Sequence, residues 1–319
     1  MINAMPSSGT MTKDFLSILD LAPADLERLL DLAADVKAAR PLGANAPTWG
    51  ALRGSHVAML FEKPSLRTRS TFEIAIKELG AETLHVPAEM AEGTREPLED
   101  VARNLERWVD ALVIRTFAQE KAATIAAAGS RLHVINALTD EQHPCQALAD
   151  FLTLREQWGT LTGRTLAYVG DGNNVAVSLA HAGAMLGVNI HIASPHGYEL
   201  PQCVVGEASR VARHGAEVRC FVDPRAAVQG ADAVYTDVWT SMGQEDEAAE
   251  RRVVFADYQV NDEMMAAADA GALFMHCLPA HRGEEVTADV LESRSSVVFD
   301  QAENRLHAQK ALLLMLLGS

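Results

Sequence analysis

The chain is poor in cysteine, in long apolar runs and in basic residues, and each shortage excludes a class of protein. Its four cysteines (Cys145, Cys203, Cys220, Cys277) are widely spaced in 319 residues and include no Cys-x-x-Cys pair. They write neither a disulfide framework nor a zinc site, and a reduced, cytoplasmic setting fits them. The longest apolar run, Ala311 to Leu317, falls far short of the ~20 residues that cross a bilayer, and no basic flank, apolar stretch and cleavage site combine near the N-terminus. Lys and Arg total 27 against 43 Asp and Glu, a net charge of −16, which opposes binding to nucleic acid or to an anionic membrane. A phosphate-bearing ligand would therefore need a local basic pocket. Hydrophobic residues make up 48% and charged residues 22%, as in an ordinary globular protein, and the length accommodates two domains of about 100–200 residues each. The small, polar leader Met1–Thr10 leaves the start undecided among Met1, Met5 and Met11.

From Asp14 to Arg40 apolar residues recur at helical spacing, with Pro23 early in the segment as a helix start would have it. Short apolar runs then alternate with helical patterns. Strands are expected at His56–Phe61, Glu82–Val86, Ala111–Thr116, Leu132–Asn136, Thr165–Val169, Asn189–Ala193, Glu217–Val222, Ala233–Asp237, Ala272–Cys277 and Ser296–Phe299. Helices are expected at Thr71–Leu79, Leu98–Val109, Ala147–Gln157, Val175–Leu186, Cys203–Arg213 and Ala308–Leu317. This alternation predicts an α/β protein of two domains, each a mostly parallel sheet flanked by helices. The pattern restarts after Gly159-Thr160-Leu161-Thr162-Gly163. The first domain is placed at 1–150, joined by a C-terminal helix at 303–319, and the second at 151–302.

Ligands of parallel sheets bind beyond the carboxyl ends of strands, where helix N-termini also point. Six expected strand ends are rich in polar groups, three in each half, and point to one interdomain cleft. Ser65-Leu66-Arg67-Thr68-Arg69 combines hydroxyls, guanidinium groups and the N–H donors of a helix start, as an oxyanion site would, although a capped helix with solvated arginines reads equally well. It lacks the glycine spacing of a P-loop. Gly170-x-Gly172 follows a strand and invites a dinucleotide reading, but Val175 stands where a third glycine belongs and no acidic residue ends the next strand. Asn173 and Asn174 suit a helix cap or a small carboxylate. His143 with Cys145, and His276 with Cys277, close no tetrahedral site, and neighbouring strand residues face opposite ways.

Together with Arg115, the segments Ser65–Arg69, His143-Pro144-Cys145-Gln146, Asp237–Gly243, His276-Cys277-Leu278-Pro279 and Asn304-Arg305-Leu306-His307 resemble the aspartate/ornithine carbamoyltransferase family, and its ornithine branch most closely, over Asp14 to Gly318. The resemblance implies that ornithine attacks carbamoyl phosphate to give citrulline and phosphate, in arginine biosynthesis rather than catabolism, by a homotrimer needing no metal and no organic cofactor. It implies that Ser65, Leu66, Arg67 and Thr68 hold the phosphate, and that Arg115, His143, Gln146 and Arg305 bind the carbamoyl end. Asn174, Asp237, Ser241 and Met242 would hold the α-amino and α-carboxylate groups of ornithine, with Cys277 and the Leu278 carbonyl at the reacting amine. Arg115, His143, Cys277 and Asp237 would be the catalytic set. The proton leaving the amine has two candidate acceptors, the departing phosphate and a Cys277–Asp237 relay.

Two positions depart from the family pattern. Leu66 replaces a common threonine, and Ala91, in the loop Ala88–Glu96, stands where a side chain from a neighbouring subunit often reaches the substrate, with Arg95 as a substitute. The loop has no role expected within its own chain. A transferase for acetylornithine or putrescine is an alternative within the family, opposed by the intact Asp237–Gly243 segment. An NAD-dependent dehydrogenase is the alternative on fold alone.

Overall fold

The computed structural model describes residues 12–241 and 243–318; the leader Met1–Thr10 lies outside them. The chain forms two compact units, one running to Leu152 and resuming at Glu303, the other spanning Thr153–Ala302.

The first unit holds β1 (His56–Phe61), β2 (Glu82–Val86), β3 (Ala111–Arg115) and β4 (His133–Leu138) with helices α1 (Pro23–Ala39), α2 (Arg67–Glu78), α3 (Leu98–Leu105), α4 (Gln119–Ala128) and the start of α5 (Pro144–Trp158). Its strands are all parallel in the order β2-β1-β3-β4. Every residue of β3 is buried, and so is all of β1 beyond His56, which is why both read as continuous apolar runs rather than as alternation. Pro23 opens α1 as expected. Residues before it are not helical throughout: Phe15 pairs with Ile135 beside β4, and its N–H and carbonyl bond Val134 and Asn136 at 2.8 Å each. The loop Ala88–Glu96 does have a role in its own chain, against expectation. It forms a short 3-10 turn whose Ala91 is fully buried among Val101, Leu105 and Ile114, with Met90 packed alongside.

The second unit holds β5 (Thr165–Val169), β6 (Asn189–Ala193), β7 (Val218–Phe221), β8 (Ala233–Thr236) and β9 (Leu273–His276), again parallel, in the order β7-β6-β5-β8-β9. Between them lie α6 (Asn174–Leu186), α7 (Gln202–Val211), α8 (Pro224–Val228), α9 (Ala248–Val254), α10 (Asp262–Ala267) and α11 (Ala288–Leu291). Helix α6 is buried on every side from Val175 to Leu186 and stops at Gly187, whose φ of 79° is the left-handed conformation that ends helices. The strand expected at Ser296–Phe299 does not form. Ser296 makes a single bridge to Phe274, and Val298 begins helix α12 (Val298–Leu317), ten residues before the expected start at Ala308.

Both sheets reverse their strand order once, between β1 and β3 in the first and between β5 and β8 in the second. The crevice at such a reversal, outside the carboxyl ends of the strands, is where open α/β sheets hold ligands.

Candidate active site

In the first unit the loop after β1 leads to α2, β3 ends at Arg115, and β4 leads through Thr139 to His143 at the start of α5. A register shift between Ile114 and Arg115 marks the point where β3 leaves its ladder with β4. Helix α2 begins at Arg67, and Leu66 at the cap position supplies no side-chain cap. The expected capped helix is therefore not what forms, and a positive dipole end without a capping oxygen suits an anion. Thr71 Oγ1 donates to the Arg67 carbonyl at 2.7 Å instead. Leu66 turns its side chain outward, 76% exposed, so only its backbone could serve a ligand. Ser65 and Arg67 are half-buried and Thr68 is buried.

Arg305, on α12, ties this region together. Its Nη1 donates to Gln146 Oε1 at 2.8 Å and its Nη2 donates to Thr68 Oγ1. Gln146 is oriented in turn, its Nε2 donating to Asp150 Oδ1 at 2.7 Å. His143 is buried near both Arg115 and Arg305. Burial first, then the two guanidinium charges, hold its pKa well below the ordinary histidine value, so the imidazole is neutral at neutral pH. An acidic chain thus concentrates two buried guanidinium groups and a neutral donor in one place. Cys145 behaves as packing: its thiol donates to the Asn136 carbonyl and burial pushes its pKa up to about 12.

In the second unit Asp237 follows β8 and receives three donors. Val238 N–H bonds Oδ1 at 2.8 Å, the Cys277 thiol bonds Oδ1 at 2.9 Å, and Asn173 Nδ2 bonds Oδ2 at 2.9 Å. Its two oxygens offer about four acceptor positions, so three donors leave room for an ammonium as well. Asn173 also caps α6, its Oδ1 accepting from Val175 and Ala176 N–H and from the Tyr168 hydroxyl at 3.2 Å. Burial, then the Asp237 charge, raise the Tyr168 pKa well above the usual phenol value, keeping it a donor. Asn174, expected to bind ligand, is half-buried at the first helical position, and its neighbour is the cap. Ser241 is half-buried in a turn closed by Gln244, whose Oε1 accepts the Ser241 N–H. Met242 lies outside the described residues. The carbonyl of the loop's Trp239 accepts from Arg251, which also pairs with Asp171 at 2.7 Å.

Donor atoms of Asp237, His276 and Cys277 lie within 4.8 Å of one another, close enough to surround a metal ion. His276 is committed elsewhere: its Nδ1 accepts the Leu278 N–H at 2.8 Å and its Nε2 lies 3.2 Å from Glu285 Oε1. β9 ends at His276, so the strand alternation expected to separate His276 from Cys277 stops there. A dinucleotide fits poorly as well. A Cβ at Gly172 would meet the backbone of Leu200 at 2.4 Å and of Glu199 at 2.6 Å, so this glycine makes room for its own chain rather than for a pyrophosphate.

The structure therefore joins Thr68, Gln146 and Arg305, with Arg115 and His143 nearby, and separately joins Asp237 and Cys277. Sequence reading offered Asn173 as a helix cap, which it is, but not as a partner of Asp237, and it missed Tyr168, Arg251 and Glu285, which carry no local signal. One α/β unit thus gathers the buried guanidinium groups of Arg115 and Arg305 and the other a buried carboxylate, Asp237, an arrangement suited to an enzyme that handles an anion and a cation. The carbamoyl-P binding domain model of the aspartate/ornithine carbamoyltransferases matches residues 13–156, and the Asp/Orn binding domain model matches residues 162–316. The chain is 51% identical to an ornithine carbamoyltransferase of Acidothermus cellulolyticus over 97% of this chain and 98% of that one. It is 44% identical to the solved ornithine carbamoyltransferase of Pyrococcus furiosus, covering 98% and 99% of the two chains with a TM-score of 0.92. An anabolic ornithine carbamoyltransferase of Campylobacter jejuni is similar at 33% identity, covering 95% of this chain and 98% of that one with a TM-score of 0.87. The chain belongs to the aspartate/ornithine carbamoyltransferase family.

Proposed function

We propose that the chain transfers the carbamoyl group of carbamoyl phosphate to the side-chain amine of L-ornithine, releasing L-citrulline and phosphate. The observation that carries this reading is the division of charge: buried Arg115 and Arg305 with neutral His143 in one unit, and a thrice-bonded Asp237 beside Cys277 in the other. In this reading the phosphate lies on the α2 N-terminus with Ser65, Leu66 N–H, Arg67 and Thr68, and Arg115, His143, Gln146 and Arg305 face the carbamoyl end. Asn174, Asp237, Ser241 and Met242 take the amino-acid end, with Cys277 and the Leu278 carbonyl at the reacting amine. Attack makes the carbamoyl carbon tetrahedral and builds negative charge on its oxygen. Fixed donors that strengthen with that charge lower the barrier. The amine attacks only as its neutral form, its proton passing to the leaving phosphate or to the Cys277–Asp237 pair.

The first unit is the carbamoyl phosphate domain and the second the ornithine domain in this reading, which also places the enzyme in the cytoplasm and in arginine biosynthesis. A homotrimer is supported by family membership and by apolar side chains exposed along the edge strand β2 and on α2, Leu84 at 41% and Ile74 at 40%. Light scattering should find three chains of 34.4 kDa; an active monomer would refute it. Citrulline formation assayed with ornithine, acetylornithine, putrescine and aspartate tests the activity. Ornithine should exceed acetylornithine in kcat/KM by at least about a hundredfold, because acetylation removes the charge that Asp237 pairs with and leaves a desolvated carboxylate. Equal kcat/KM for the two would overturn the reading.

A further inference from the structure

At the end of β9 lies a buried pair that the transfer chemistry leaves without a role. His276 and Glu285 are both fully buried, 0% exposed, and the Glu285 Oε1 accepts from the His276 ring and from the His281 N–H. The His276 backbone N–H is held by Gln301 Oε1 at 3.0 Å. His281, itself half exposed, lies 3.9 Å from the second Glu285 oxygen.

The donors and acceptors fix the ring's protonation. Leu278 N–H has a hydrogen to give, so His276 Nδ1 accepts it at 2.8 Å and bears no proton. The proton then sits on Nε2, facing the carboxylate, which is the tautomer a carboxylate at that position selects. Leu278 is one of two non-glycine residues with positive φ among the described residues, at 59°. A γ-branched side chain adopts that conformation only where its surroundings impose it. The ring that holds this residue's N–H belongs to the residue two positions earlier, and Cys277, whose thiol reaches Asp237 at 2.9 Å, lies between them.

We propose that Glu285 and His276 are positioning residues for carbamoyl transfer: the buried carboxylate sets His276 as its Nε2–H tautomer, and the bare Nδ1 holds the Leu278 amide so that the Cys277–Leu278 turn presents its thiol and carbonyl to the reacting amine. The proposal rests on the function proposed above and assigns two residues to it that touch no substrate. Removing the acceptor at Nδ1 frees the Leu278 amide and lets the backbone relax toward negative φ, which moves the Leu278 carbonyl and Cys277 together. Ground-state binding through Asp237 and the α-ammonium is left in place, so the loss falls on kcat rather than on KM.

Three variants test this: His276→Asn, whose side-chain oxygen reproduces the Nδ1 acceptor, His276→Leu, which removes it, and Glu285→Gln, which keeps an uncharged acceptor for the ring. Each is measured for kcat, ornithine KM and thermal unfolding, with 15N NMR of histidine-labelled protein assigned by the signal lost in His276→Asn. Wild type should show a His276 ring protonated at Nε2 alone. His276→Leu should lose about a hundredfold or more in kcat with ornithine KM within about threefold, and His276→Asn should recover at least about tenfold of that loss. Glu285→Gln should give a mixed tautomer signal and an intermediate kcat, and it carries the test where His276→Leu does not fold. A wild-type ring protonated at Nδ1, a Glu285→Gln or His276→Leu protein with wild-type kcat, or equal losses in the asparagine and leucine variants would overturn the proposal. If wild type makes no citrulline while the Nε2–H signal stands, the failure belongs to the proposed function and not to the tautomer.

Discussion

Exchanging the two residues of the Asn173–Asp237 hydrogen bond separates its geometry from its charge. Asn173 is locked in orientation, because its Oδ1 accepts from Val175 N–H, Ala176 N–H and Tyr168 hydroxyl at 3.0, 3.3 and 3.2 Å, leaving Nδ2 to face Asp237 Oδ2 at 2.9 Å. In Asp237→Asn, either amide orientation sets donor against donor, toward Asn173 on one side or toward Val238 and Cys277 on the other. Losing a buried hydrogen bond to a charged group costs about 1.5–3 kcal/mol. In Asn173→Asp two carboxylate oxygens meet; at an effective dielectric of about 20 their repulsion approaches 6 kcal/mol, capped near 4 kcal/mol at pH 7 by protonating one of them. The double exchange restores one donor facing one acceptor and keeps a capping oxygen on α6. Urea unfolding of the four proteins should therefore give a coupling of about 3 kcal/mol or more, with the exchange protein near wild type. Its kcat/KM for ornithine should remain at least about a hundredfold low, since the negative charge has moved off the position proposed to meet the α-ammonium. Stabilities that add within about 0.5 kcal/mol would refute the hydrogen bond, and wild-type kcat/KM in the exchange protein would refute the role of charge at Asp237.

Arg305→Leu removes two charge-assisted hydrogen bonds at once, and should raise KM for carbamoyl phosphate by about 10- to 150-fold, equivalent to ~1.5–3 kcal/mol, with a smaller change for ornithine; an unchanged KM would separate Arg305 from that half of the site. Cys145, buried with a thiol pKa pushed up to about 12, should resist iodoacetamide at pH 8 while exposed Cys203 reacts, as peptide mass mapping would record. His307 is buried with its pKa lowered to about 4, by burial first. The unfolded chain then binds the extra proton between about pH 6.5 and pH 4, so this residue's contribution is present above that window and lost as pH falls through it, by up to about 3 kcal/mol. Urea midpoints at pH 7.5 and 5 should differ less in His307→Gln than in wild type, and an equal difference would reject this residue as the source.

What could be read from the sequence follows from how locally each feature is encoded. β1, β2, β5 and β6 match their expected bounds because each is a short segment carrying apolar or β-branched residues that begins two positions after a glycine, Gly54, Gly80, Gly163 and Gly187. Ser296–Phe299 has the same composition but not the same burial: Val297 and Val298 are buried and Phe299 is 68% exposed, the order of a helix start. The N-terminal half of α12 was hidden for the opposite reason. Asn304, Arg305, His307, Gln309 and Lys310 are all buried, so polar side chains occupy the inward face and erase the apolar period that marks a helix. At the candidate site the segments carrying Thr68, Gln146, Asp237 and Cys277 stood out in the sequence because each is contiguous. The residues that hold them in place, Asn173 for Asp237 and Glu285 for His276, act across 64 and 9 positions, and nothing in local spacing announces such pairs.

The order of synthesis acts on this arrangement as well. The unit that ends at Leu152 is completed only when the chain returns to it at Glu303, and the return supplies Arg305 to Thr68 across 237 positions, Asn304 to Lys37 across 267 and Lys310 to Glu78 across 232. A growing chain thus exposes Thr68 and Gln146 without their shared guanidinium until nearly all of the protein has been translated. The second unit, continuous in sequence, meets no such wait, so it has everything it needs to fold before the first unit is whole. The Thr68–Arg305–Gln146 cluster is among the last parts of the molecule to exist, and a chain cut short before α12 would carry the motif Ser65–Arg69 without the guanidinium that ties Thr68 to Gln146.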